Sequence, residues 1–87
     1  MKAIRVNGFD DISPDEISYY KMVISNADDV WLLHHPKVGL GNLRAHDITE
    51  HEDGTITVKP SIHITAQKKG EAVSVHGYLT KGKWRNC

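Results

Sequence analysis

The sequence predicts an α+β domain: an antiparallel sheet of about four or five strands with one helix, about residues 14–25, packed on one face. Three observations predict it. Apolar and polar residues alternate through much of the span 43–79, compact turn signals divide that span, and a helix-start signature precedes it.

In chain order, residues 3–6 read as a short strand before the loop Asn7-Gly8-Phe9-Asp10-Asp11. Ser13 can then cap free backbone N–H groups, Pro14 suits the first helical position, and Glu16 completes a capping box. Ile17, Tyr20, Val23 and Ile24 follow at helical spacing, so the helix should end near Ser25 and Asn26. This spacing turns Tyr20 toward the core and leaves Tyr19 on the surface.

Val30, Trp31, Leu32 and Leu33 are apolar on both sides of an extended chain, as in a strand covered on both faces, and His34-His35-Pro36 stops it. Residues 37–42 read as a glycine-bearing loop without the GK[ST] of a phosphate cradle.

Residues 43–51 and 55–65 form a hairpin whose Glu52-Asp53-Gly54 connection decides the register. A left-handed Gly54 opposes Ile48 to Val58 and Asp47 to Lys59, which keeps Ile56, Val58, Ile62 and Ile64 on the core side. Pro60 requires an edge position or a bulge. Residues 67–71 form the next turn, so the second hairpin spans 55–79, with Val73, Val75 and Leu79 on one face and Ser74, His76 and Tyr78 on the other. Thr80-Lys81-Gly82-Lys83 closes a last tight turn before a short C-terminal strand at Trp84.

Eighty-seven residues suit a single domain, residues 1–87, with one modest core. Eleven basic and eleven acidic residues cancel, which argues against nucleic acid and anionic membranes as partners. Lys68, Lys69, Lys81, Lys83 and Arg85 lie late and most acidic residues early, a pattern that reads as two solvated faces. No apolar run approaches the roughly 20 residues of a membrane span, and MKAIRVNGFDD lacks a signal-peptide core. With one cysteine, Cys87, and no internal disulfide, a cytoplasmic location is expected.

Six histidines in so short a chain are the compositional feature that could carry chemistry: His34, His35, His46, His51, His63 and His76. His63 and His76 share the polar face of neighbouring strands, diagonally placed near Ser61 and Tyr78. His46 projects from the opposite face as a core or rim histidine. Adjacent His34 and His35 point to opposite sides if extended, so a metal site can draw on only one of them, with His76 and Cys87 as the other ligands. The alternative is a set of surface histidines.

Catalysis has little support. Cys87 is poorly placed to hold a nucleophile, and Ser61 with His63 or His76 lacks a nucleophile-elbow or oxyanion-hole signature, so a non-enzymatic role is expected. Trp31 and Trp84 read as core or interface anchors. Candidate partner-binding residues are Tyr19, His63, Tyr78, Trp84 and Arg85, since exposed aromatics and arginine mark contact surfaces. The same aromatic and basic positions would suit single-stranded nucleic acid as an alternative.

HHPKVGLGNLRAHDITEHEDGTITVKPSI, followed by HGYLTKGKWRNC, resembles small uncharacterised phage and prophage proteins over about residues 30–87. These pair a DGT-containing strand with a closing HG-aromatic hairpin, and some carry the label ammonia monooxygenase. Related proteins often have a cysteine-rich knuckle that, with a late histidine and a terminal cysteine, looks like a zinc site. His76 and Cys87 match the late positions, whereas His34-His35-Pro36 stands where the knuckle would be. The resemblance implies a phage or prophage origin. The resulting expectation is an accessory protein in the cytoplasm of a bacterial host, binding a host protein such as a CRISPR defence effector and self-pairing into a homodimer through open strand edges. A zinc-binding domain is the alternative.

Overall fold

The computed structural model describes residues 1–25 and 28–87 and is built from strands. They are β1 (Ile4–Arg5), β2 (Ser18–Met22), β3 (Val30–His35), β4 (Gly39–Asn42), β5 (Asp47–Glu50), β6 (Ile56–Lys68), β7 (Glu71–Thr80) and β8 (Lys83–Asn86). One four-stranded sheet has the order β1-β2-β3-β4 and a second the order β5-β6-β7-β8. Neighbours are antiparallel except β1 and β2, which are parallel. Among the described residues no helix is long and apolar enough to cross a membrane.

The expected helix is not there, and its place as the second layer is taken by a sheet. The capping signals at Ser13 and Glu16 yield only a turn, in which Glu16 N donates to Ser13 O at 3.1 Å. Ile17, Ser18, Tyr19 and Tyr20 then run extended. Tyrosine and β-branched residues favour strands, and an isolated helix of about 12 residues is marginal without tertiary support. That support went to the strand: Tyr19 pairs with Leu33 and Tyr20 with Leu32 on β3. The expected helix end at Asn26 lies outside the described residues. The predicted loop 37–42 is also corrected, since β4 folds back on β3 with Leu40 opposite His34.

One apolar layer lies between the sheets. Ile17, Tyr19, Trp31, Leu33, Val38 and Leu43 meet Ile56, Val58, Ile62, Val75, Leu79 and Trp84. Residues 1–5 stitch the two sheets together along one side. Trp84 N donates to Met1 O, Lys2 bridges to Lys83, and Ala3 N donates to Gly82 O at 2.8 Å. The chain then crosses to the first sheet, where Ile4 N donates to Ile17 O at 2.9 Å.

The second sheet follows its sequence pattern closely. Ile48 faces Val58 and Asp47 faces Lys59, with Gly54 in the left-handed region at φ 88°. Pro60 sits in a bulge: the interval Val58 to Ile62 on β6 faces only Leu79 to Gly77 on β7. Because the inserted step is even, Val58 and Ile62 both still point inward.

Trp31 is covered at one end of the core by two cations. The Arg5 guanidinium lies 5.1 Å and the Lys21 ammonium 5.7 Å from its ring centre. Glu50 ties them together, accepting from Arg5 Nη1 at 2.8 Å and from Lys21 Nζ at 3.4 Å.

Two predictions follow from this packing. An added Cβ on Gly77 would lie 2.6 Å from the Arg85 carbonyl oxygen and 2.6 Å from a ring carbon of Trp84. Gly77→Ala should therefore cost about 1–3 kcal/mol by chemical denaturation, while Gly8→Ala, which meets nothing within 4 Å, leaves the midpoint unchanged. The hydrogen bond from Arg5, helped by the charge of Lys21, holds the Glu50 carboxyl below its ordinary value of 4.5. Its contribution is thus complete above that ordinary value and disappears as pH falls through the lowered one. Glu50→Gln should flatten the loss of melting temperature as pH falls below the ordinary value of 4.5; an unchanged acid slope would remove Glu50 from that role.

Candidate binding face of the second sheet

In–out alternation aims one set of side chains away from the core. With Val75, Gly77 and Leu79 turned inward, β7 presents His76 and Tyr78 outward, and with Trp84 buried, β8 presents Arg85. From β6 the bulge delivers Ser61 and His63 to the same face.

The turn Lys69-Gly70 is tighter than the sequence suggests, with Lys68 opposite Glu71. That two-residue connection fixes every pair beyond it, so His63 lies directly opposite His76 rather than diagonally. Their ring centres are 5.2 Å apart, tilted by 37°. Ser61 Oγ and His76 Nε2 are hydrogen-bonded at 2.8 Å. Tyr78 faces Arg85 across the β7–β8 ladder, with the guanidinium carbon 5.1 Å from the ring centre, and Tyr78 remains 39% exposed.

The face therefore unites His63, Tyr78 and Arg85 of the expected partner-binding set, and excludes Tyr19 and Trp84. Tyr19 is 1% exposed because a strand, unlike a helix, turns it inward beside Trp31, 6.3 Å between ring centres. Burial raises its phenol above the ordinary value. Trp84 is 2% exposed and donates its indole N–H to Asn86 Oδ1 at 2.8 Å. Its ring occupies the space that Gly77 leaves free, directly beneath the outward face.

Of the expected metal ligands, His34 lies apart from the other three. His34 and His35 do point to opposite sides. His34 Nδ1 is hydrogen-bonded to the Glu16 carbonyl at 2.9 Å and lines a hollow with Phe9, Ile12, Pro14 and Leu40. His35 Nδ1 accepts from Lys37 N at 3.1 Å, and the ring meets Trp84 edge-on at 5.5 Å. Burial, then the charges of His34 and Lys37, lower the pKa of His35. His35, His76 and Cys87 border one open hollow, yet no group of three or more metal-ligating side chains converges among the described residues. His46 is a rim histidine, its Nε2 hydrogen-bonded to the Ser61 carbonyl at 3.2 Å.

Ser61 and His76 resemble the first two members of a nucleophilic triad, but among the described residues no carboxylate is hydrogen-bonded to His76. A serine is activated when its base is itself oriented by a third group. What the face offers is hydrogen bonding and an arginine stacked on an aromatic ring.

Two features escaped the sequence reading. One is the Arg5–Glu50–Lys21 cluster, which no local pattern signals. The other is apolar exposure on the outer side of the first sheet, where Ile4, Met22 and Leu40 are each 38–40% exposed; the helical reading of residues 17–24 hid it.

In comparisons with known proteins, no protein-family model, curated protein or solved structure matches the chain. The fold and face define a class: a small two-sheet β domain with a polar and aromatic surface on the outside of its second sheet.

The burial of Tyr19 and Trp84 sets a direct expectation. Tyr19→Ala and Trp84→Ala should each cost about 3–5 kcal/mol or prevent folding, whereas Tyr78→Ala stays within about 0.5 kcal/mol of the parent. Equal losses for all three in denaturant titrations would contradict the assignment of faces.

Proposed function

We propose that the protein is a non-catalytic binding module that docks a protein partner on the face formed by Ser61, His63, His76, Tyr78 and Arg85. The observation that carries this reading is the Tyr78–Arg85 stack on an open sheet surface, 5.1 Å from guanidinium to ring centre. Tyrosine and arginine supply much of the energy of protein interfaces. Here both stand on paired strands, which lowers the ordering cost of binding.

The likeness of residues 30–87 to small phage proteins supports a host protein as the partner, and a defence effector such as a CRISPR nuclease is the candidate to try first. Self-pairing through the open edges β4 and β5 belongs to the same proposal.

The test is capture from bacterial lysate, followed by calorimetry with the purified captured protein and light scattering of both components. Tyr78→Ala with Arg85→Ala should weaken binding by about 2 kcal/mol or more, near thirtyfold, with melting unchanged. Undiminished affinity in that variant would sink the reading. Steeply salt-dependent binding of a single-stranded oligonucleotide would assign the face to nucleic acid instead.

A further inference from the structure

We propose that His63 and His76 form a two-histidine site for a late first-row divalent transition-metal ion, a site that lies within the docking face but is argued from separate observations. The two residues are directly opposed on β6 and β7. Two imidazole nitrogens that bind one tetrahedral ion at about 2.0–2.1 Å place their ring centres about 5 Å apart. The observed separation is 5.2 Å. Imidazole is a ligand suited to Cu²⁺, Ni²⁺ and Zn²⁺, the metals at the strong end of the divalent series.

Three features of the chain support a chelate at this place. The Lys69-Gly70 turn and the ladder from Lys68↔Glu71 to His63↔His76 hold both backbones before any ion arrives. The second ligand therefore joins with little further ordering cost. Both rings are solvent-exposed, so water can fill the remaining coordination positions. Ser61 supplies what metal-bound histidines ordinarily have, a partner for the second ring nitrogen. In the tautomer where His76 Nε2–H donates to Ser61 Oγ, at 2.8 Å, the lone pair of Nδ1 is free for the metal.

This site differs from a ligand set of His34 or His35 with His76 and Cys87. His34 and His35 are engaged by the Glu16 carbonyl and the Lys37 amide. Only His76 is shared between the two sets.

Isothermal titration of the full-length chain with ZnCl₂, NiCl₂ and CuCl₂ tests the assignment, with melting curves confirming that each variant is folded. One equivalent should bind, more tightly for Cu²⁺ than for Zn²⁺. His63→Ala and His76→Ala should each lower affinity at least tenfold, and Ser61→Ala about tenfold. The His34→Ala/His35→Ala double variant and Cys87→Ser should bind as the parent does. No binding by the parent would overturn the proposal, as would parent-like affinity in His63→Ala. A loss confined to His76→Ala, Cys87→Ser and the His34/His35 variant would place the ion in the other set.

Discussion

The pairing of β6 with β7 is the longest in the molecule, and both faces of the protein depend on its register. A two-residue turn sets that register at Lys68 and Glu71, and the even step across the Pro60 bulge carries it through to Val58 and Leu79. Inward, the result is a continuous row of Val75, Ile62, Leu79 and Val58. Outward, the same alternation sets His63 against His76. A slip of one residue would expose the first row and bury the second, so core and candidate site are specified by one constraint.

The first sheet depends on that row for its own burial. A sheet with one apolar face needs a second layer, and Tyr19, Trp31 and Leu33 find it in the second sheet. The N-terminal segment closes one side by pairing first with β8 and then with β2, which covers part of the β8 edge. At one end of the core, Arg5 and Lys21 lie over Trp31 while Glu50 offsets their charge. Chain ends, edge strand and charged cap thus serve the same layer.

The hairpin from Asp47 to Lys59 was readable because its information is local. Gly54 limits the turn, and the alternating residues on either side agree with only one register. The outward position of His76 and Tyr78 was readable for the same reason. Residues 17–24 carry no comparable local decision. Ile17, Tyr20 and Ile24 suit one helical face, while Ile17 and Tyr19 suit one strand face with Ser18 and Tyr20 on the other. The helical spacing therefore puts Tyr19 on the surface, whereas the strand buries it, and Trp84 fills the space beside Gly77 rather than a contact surface. The diagonal placing of the histidines failed more narrowly, by the width of a turn.

By itself, the sequence determined the succession of β6, β7 and β8 and their two chemically distinct faces, because turn residues and a period of two act over a few neighbouring positions, while at Pro60 it left an edge position and a bulge both open. Only the tertiary structure decided that residues 18–22 are a strand, that β1 lies parallel to it, and that Arg5 and Glu50 meet. Those outcomes depend on partners distant in the chain, and pairing with Val30–His35 together with burial against the second sheet outweighed a helix-start signal worth only a local turn.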